Sequence, residues 1–427
     1  MAKNTDIALR GSVIYSVYLR AHTEEGTFLS LIPDLKRIHA LGADIIWLMP
    51  IHPIGVKGKK GSLGCPYANR DYRTTNPCYG TMEEFRTLVD AIHAEGMKVM
   101  IDVVYNHTSP DSVLSVEHPE FFYRRSDGSF GNKVGEWSDV IDLDYTCPAL
   151  WDYQIETLKM WAGIVDGFRC DVASCVPAAF WERARKEVAA VNPGCIWLAE
   201  SVHELMTFFC RSDGIYAATD SELYSAFDME YDYDIWALYE QYLKGKMPLS
   251  SWLNALNIQE TAYPGNYIKL HCLENHDQPR IASYIQDERA LRNLTALLFF
   301  LKGATLLYAG QEYRCEHLPS LFEKEVFERS EEKSIAPLLK KLAGIKKTAL
   351  SVRDVCHAEA DDENEIAVLL RGDGKTKKLG VFSLKGKAAE VNVRWKDGNY
   401  GNLISGETVS VKDGKLRTEG EPVLLAE

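Results

Sequence analysis

The stretch Val165-Asp166-Gly167-Phe168-Arg169-Cys170-Asp171-Val172-Ala173 opens as an apolar strand and closes on a guanidinium and a carboxylate. Arg169 and Asp171 stand two residues apart, a spacing that puts both side chains on one face of a strand. A neighbouring guanidinium favours the ionised carboxylate. An ionised aspartate at a strand end can be a nucleophile or an electrostatic stabiliser, although a structural ion pair has the same signature. Three other stretches share the form of an apolar run ending in polar residues. They are Val99-Met100-Ile101-Asp102-Val103-Val104-Tyr105-Asn106-His107, Ile196-Trp197-Leu198-Ala199-Glu200-Ser201 and Leu270-His271-Cys272-Leu273-Glu274-Asn275-His276-Asp277.

The elements that must carry these residues alternate along the chain. Residues 12–18 read as a first strand, and Phe28, Ile32, Leu35 and Ile38 then recur at helical spacing. Residues 43–49 form a near-continuous apolar run, as expected of a parallel strand covered on both faces. Thr81-Met82-Glu83-Glu84 is a capping box opening a helix with Phe85, Leu88, Val89 and Ile92 on one face. A helix beginning near Pro148 leads to the Asp171 strand, and one over 178–190 leads to the Glu200 strand. Further strands are expected at 225–231, 267–273 and 304–308. Eight such units predict a TIM barrel, a (β/α)8 fold whose strand ends carry the polar residues. A doubly wound open sheet is the structural alternative, but no glycine-rich phosphate loop follows the first strand. The irregular segment 107–142 reads as a short loop insertion after the third strand. Beyond about residue 352 come short alternating segments with glycine-rich turns, which predict an antiparallel β-domain. The polar stretch 359–365 marks its boundary or a loop within it. The expected division is a catalytic barrel over 1–351, including the insertion, and an all-β domain over 352–427.

Composition narrows the class. The chain has 427 residues, 46% hydrophobic and 26% charged, with a net charge of −13. That charge disfavours nucleic acid and anionic membrane as partners and is neutral toward sugars. No apolar leader follows Met1-Ala2-Lys3, and the apolar run near 294–301 is too short to span a bilayer. Ten scattered cysteines without a leader suit a reduced, cytoplasmic protein better than a disulfide framework. No C-x-x-C or His-rich cluster suggests zinc.

In order and separation, the four stretches resemble the signature regions of the α-amylase family of glycoside hydrolases, and the resemblance extends over 13–425. It implies a retaining enzyme on α-1,4-linked glucose oligomers, with catalytic Asp171 (nucleophile), Glu200 (acid/base) and Asp277, which holds sugar hydroxyls. Retaining hydrolysis needs one ionised and one protonated carboxyl group, and an apolar strand before Glu200 raises its pKa. Substrate-binding roles are implied for Tyr67, His107, Arg169 and His276, with Tyr67, in Cys65-Pro66-Tyr67-Ala68-Asn69, as a stacking platform. Asp102 and Asn106 match architectural positions, Asn106 being a calcium ligand in part of the family. No cofactor is required and calcium is left open, because the short insertion offers few ligands. Ser174-Cys175 stands where many α-amylases carry Lys-His on the leaving-group side, which points to short oligosaccharides. The resemblance leaves open a transglycosylase, an α-1,6-, sucrose- or trehalose-active enzyme, and a non-catalytic sugar-binding relative. The retained acids and the lack of a membrane helix speak against the last. The oligomeric state is not legible.

Overall fold

Eight short parallel strands close on themselves in the computed structural model, which describes residues 4–134 and 137–427. Residues 1–3, read above for a leader, and 135–136 of the insertion lie outside that description. The strands are β1 Val13–Val17, β2 Ile45–Leu48, β3 Lys98–Val103, β4 Gly167–Cys170, β5 Ile196–Ala199, β6 Met229–Tyr231, β7 Lys269–His271 and β8 Ala304–Tyr308. Each pairs with the next, and β8 returns to β1 with Thr305 opposite Val13. The barrel, not the open doubly wound sheet, is therefore the architecture. Residues of β2, β4, β5 and β8 are buried throughout, and β2 and β5 accordingly read as unbroken apolar runs.

Helices cover the outside. Met82–Ala94 starts at the Thr81–Glu84 capping box and buries Phe85, Leu88, Val89 and Ile92. Pro148–Ala162 and Ala178–Val188 flank β4 in the chain. At Gly167 a Cβ would lie 2.7 Å from the Ile196 carbonyl oxygen and 3.0 Å from the Met100 side chain, so a larger residue would push β4 off both neighbours. Two expected elements differ. The apolar spacing from Phe28 to Ile38 is split into Phe28–Leu31, a 3-10 turn Ile32–Asp34 and Leu35–Ala40, with Pro33 at the break. The sixth strand starts only at Met229, because the amides of Ser225, Ala226 and Phe227 bond back to Glu222 and Leu223.

The insertion is pinned at its base, where His107–Thr108 pairs antiparallel with Ile141–Asp142. The C-terminal part holds two four-stranded antiparallel sheets. One orders Val355–Asp361, Ile366–Gly372, Lys377–Ser383 and Val423–Ala426; the other orders Ala388–Asn392, Lys415–Glu419, Thr408–Lys412 and Gly398–Gly401. Within the polar stretch, 359–361 belong to a strand and 362–365 to the turn after it. Among the described residues no helix is long and apolar enough to cross a membrane.

Candidate active site

Adjacent strands β3 and β4 run in a register that sets Asp102 opposite Arg169. Asp171 and Glu200 stand one residue past the ends of β4 and β5. Arg169 ties the three acids together. Its Nη1 donates to Asp102 Oδ1 and Oδ2 at 2.9 and 3.0 Å and to Asp171 Oδ1 at 2.8 Å. Its Nη2 lies 2.8 Å from Glu200 Oε1, close but without hydrogen-bond alignment. The guanidinium carbon sits 5.1, 5.6 and 5.8 Å from the rings of Trp47, Tyr67 and Tyr231, an aromatic box around the cation. Sequence grouped Arg169 with the substrate-binding residues. Its side chain is 0% exposed and its bonds go to carboxylates, so it positions them from beneath.

The remaining candidates surround one cavity of about 290 Å³, lined by Tyr67, His107, Asp171, Glu200 and Asp277. The Tyr67 hydroxyl donates to Asp102 Oδ2 at 3.0 Å and lies 2.6 Å from His276 Nε2, while the two rings stack with centroids 5.4 Å apart. His276 Nε2 also lies 3.0 Å from Asp277 Oδ2, and the Asp277 side chain is 44% exposed. Asn106 Nδ2 is 3.1 Å from His107 Nδ1, and His107 Nε2 points toward Asp171 Oδ2 at 4.0 Å. Asn106 thus orients an imidazole, and Asp102 holds both Arg169 and Tyr67.

Four carboxyl groups face one guanidinium, so some must keep a proton. Burial pushes Asp171 and Glu200 up to about 7 and Asp102 up to about 6, against the pull of Arg169. The expectation that Arg169 simply holds Asp171 ionised left out this desolvation. At Asp277 burial acts upward, but His276 outweighs it and the carboxyl falls below its usual range. Burial likewise opposes charge on His276, yet Asp277 raises its pKa above the ordinary value. Burial lowers that of His107.

Sequence reasoning missed several residues of this site. Val172 adopts a left-handed backbone, φ 34° and ψ 47°, which is strained for a β-branched residue. In that conformation its amide donates to Glu200 Oε2 at 2.7 Å. Nothing in a valine announces this. Trp137 packs on His107 with centroids 5.4 Å apart, and an aromatic residue inside a polar insertion was a usable signal. Lys60 pairs with Asp139 at 2.9 Å across the cavity wall, and Leu321 and Phe322 complete that wall. Ser174 and Cys175 are buried, and the Ser174 hydroxyl accepts from the Val202 amide at 3.2 Å.

The family model for the alpha amylase catalytic domain matches residues 11–124 and 134–336, and that for the bacterial alpha amylase C-terminal domain matches 357–425. The chain belongs to the alpha-amylase family. It is similar to an alpha-amylase from Lactobacillus plantarum, at 43% identity and TM-score 0.94 over 99% of this chain and 100% of that one. A noncanonic maltogenic alpha-amylase from Thermotoga neapolitana is 34% identical, TM-score 0.87, over 98% and 99% of the two chains. Among curated proteins, an alpha-amylase of Haloarcula japonica is 29% identical over 71% of this chain and 44% of its own length. An alpha-1,4-glucan:maltose-1-phosphate maltosyltransferase of Rhodospirillum rubrum is 36% identical over 41% and 28%. The chain thus spans less than half of the length of these two curated relatives.

Membership of the α-amylase family raises the question of calcium. The ion takes six to eight oxygen ligands. Among the described residues no group of three or more His, Cys, Asp or Glu side chains converges to hold a metal. At the base of the insertion the Lys133 ammonium donates to the Leu143 carbonyl at 3.0 Å, and its amide donates to Asp142 Oδ2 at 2.7 Å. An ammonium beside Asp142, with the Asn106 amide turned to His107, does not fit a divalent-cation cage, and no step below uses one.

Proposed function

We propose that this α-amylase-family enzyme is a retaining glycoside hydrolase of short α-1,4-linked glucose oligosaccharides. The observation that carries the reading is the gripping of Asp171 and Glu200 by one guanidinium. Two carboxyl groups held on the two η nitrogens of a single Arg169 cannot stand far apart, which favours the retaining separation of ~5–5.5 Å over the wider inverting one. Burial raises the pKa of both to about 7, against the pull of Arg169. Arg169 gives Asp171 an aligned hydrogen bond and Glu200 only an unaligned approach, so the reading assigns the proton to Glu200, whose other oxygen accepts from the Val172 amide.

The roles follow. Asp171 attacks the anomeric carbon as Glu200 protonates the departing glycosidic oxygen. Glu200, now ionised, takes the proton of the water that cleaves the glycosyl ester. Asp277, paired with His276, and His107 hold the hydroxyls of the reacting sugar, and Tyr67 supplies the flat wall beneath it. The glycone side is short. Lys60–Asp139, the Leu63 amide on the Phe322 carbonyl at 3.0 Å and the Ser62 amide on Glu323 Oε1 at 2.8 Å draw three loops together there. A cavity of about 290 Å³ is at the low end of small-molecule sites, room for roughly two sugar rings. Long-chain binding needs remote subsites before it can contribute to rate.

Transfer to a sugar acceptor is the second reading, favoured by the maltosyltransferases among the relatives. A phosphate leaving group needs free cations around it. Among the described residues lining the cavity the basic side chains are Lys60, bound to Asp139, and His107, which burial keeps neutral; Arg169 beneath is committed to three acids. Donation from a sugar phosphate is therefore the weaker variant. NMR of the anomer first released from maltotriose tests the main reading. The α-anomer is expected; a β-anomer refutes retention, and accumulation of longer chains with no net gain in reducing ends refutes hydrolysis.

A further inference from the structure

Behind the wall that closes the glycone end of the catalytic cavity lies a second cavity, of about 220 Å³. Two chain segments build that wall, and each faces both ways. Lys60, Cys65, Leu321 and Phe322 line the catalytic side, whereas Leu63 and Lys324 line this one. The polar groups here are mostly donors. Arg20, on the short helix Leu19–His22 after β1, is 7% exposed; Asn76 and Tyr79, from the segment after β2, are 6% and 3% exposed. Arg20 Nη1 donates to the carbonyls of Gly64 and Leu321 at 3.1 and 3.0 Å, and Lys324 Nζ donates to those of Arg20 and Thr23, both at 2.8 Å. Both cations thus hold neutral backbone carbonyls rather than carboxylates. The side-chain oxygen of Asn76 accepts from the Cys78 amide at 3.0 Å, which leaves its NH2 group to donate. The Tyr79 hydroxyl is buried without a hydrogen-bond partner. A buried hydroxyl left over in a wall that also carries a guanidinium and an ammonium calls for an acceptor between them. Among the described lining residues Glu25 is the one acid.

We propose that this cavity binds a phosphate group, free or carried on a monosaccharide, with its oxygens between Arg20 and Lys324 and on the Tyr79 hydroxyl. A guanidinium fork with an ammonium beside it is the donor set that phosphate oxygens accept from most strongly. A neutral sugar alone leaves both cations without a counter-charge. The volume has room for a phosphate and roughly one sugar ring, not for a glucan chain. Where the phosphate is carried on a sugar, Glu25 and the Asn76 NH2 group take its hydroxyls. The occupant ties together the segments after β1, β2 and β8, which are those that form the wall of the catalytic cavity. The site does not depend on which glycosyl reaction that cavity performs.

The cavity carries its own reporter. Cys78 lines it and is exposed, while the other cysteines of the chain are buried or half-buried. Alkylation of Cys78 by neutral iodoacetamide, located by peptide mass spectrometry, reads occupancy without any assay of turnover. Millimolar inorganic phosphate and glucose 6-phosphate should slow that reaction and raise Tm with concentration, as a ligand of the folded state must. Glucose, and sodium chloride at the same ionic strength, should do neither. Lys324→Gln should raise the half-protecting concentration about tenfold or more, since a charged hydrogen bond is lost. Tyr79→Phe removes a hydroxyl that has no partner in the fold, so Tm without ligand should not fall, yet the half-protecting concentration should rise severalfold. A tyrosine with a purely structural role would leave that concentration where it was. Absence of protection by both phosphates, equal protection by glucose or sodium chloride, or a half-protecting concentration that Lys324→Gln or Tyr79→Phe leaves unchanged overturns the proposal. Protection by glucose 6-phosphate at a lower concentration than by phosphate assigns the site to a sugar phosphate; protection by phosphate at an equal or lower concentration assigns it to the free ion.

Discussion

Glu200→Gln should abolish turnover and yet make the protein more stable in alkaline solution. Glutamine keeps the shape of the protonated acid and cannot ionise. Glu200 ionises at about 7 in the fold, against 4.5 for the ordinary group, chiefly because it is buried. A raised carboxyl pKa means that the folded chain holds a proton the unfolded chain has released. Stability from this group is full below about pH 4.5 and is lost as pH rises through 7. The interval, at ~1.4 kcal/mol per pH unit, amounts to about 3 kcal/mol for a group titrating alone. Asp171 and Asp102 compete for the same guanidinium and share the proton, so we expect roughly half, about 1.5 kcal/mol. For a chain of this size that is about 2 °C in Tm. Thermal unfolding of wild type and variant at pH 5, 7 and 9 reads the difference, which cancels the titrating groups that are not coupled to Glu200. The advantage of the variant should be near zero at pH 5 and grow to pH 9. An advantage equal at all three pH values, or largest at pH 5, would refute the reasoning.

Other outcomes follow from the same contacts. Arg169→Lys keeps one positive charge but cannot span three carboxyl groups, so kcat should fall by about a hundredfold or more with little change in KM; a variant with near wild-type kcat would show that the fork is not needed. The charge of Asp277 helps, after burial and Asp171, to hold the pKa of Glu200 up against Arg169. Asp277→Asn should therefore move the basic limb of the kcat/KM profile to lower pH, besides lowering the rate; an unmoved limb counts against the coupling. Gly167→Ala should cost about 1–3 kcal/mol in thermal unfolding by forcing a Cβ against Ile196 and Met100; unchanged stability would mean that β4 moves aside freely.

Much of the barrel could be read because strands buried on both faces are largely apolar, as in Ile45-Ile46-Trp47-Leu48. The same signal fails where a strand lies at a sheet edge. Val355–Asp361 and Gly398–Gly401 are edge strands rich in polar residues or glycine, and the central Lys415–Glu419 buries only Leu416 and Thr418, so none of the three stands out as an apolar run. In the site, residues at strand ends were legible because a charge closing an apolar run is conspicuous. Residues brought in by loops were not. Lys60, Asp139 and Phe322 come from three separate loops, and only the folded chain shows that they meet.

The protonation of the site could not be read from spacing at all, and here the structure changes the argument. The two-residue spacing of Arg169 and Asp171 suggests a simple ion pair, a cation holding an anion. The fold instead buries that cation under an aromatic box and asks it to serve three acids. Coulomb attraction from one charge cannot offset the desolvation of three. The surplus is relieved by a proton that stays on the cluster up to about neutral pH. A proton retained in this way is the one a departing sugar oxygen needs, and an acid that gives it up near pH 7 is also competent to take one back from water. The crowding that destabilises the fold at high pH is thus the condition for the proposed role of Glu200 as both acid and base, and the strained backbone at Val172, whose amide fastens Glu200 in place, belongs to the same cost.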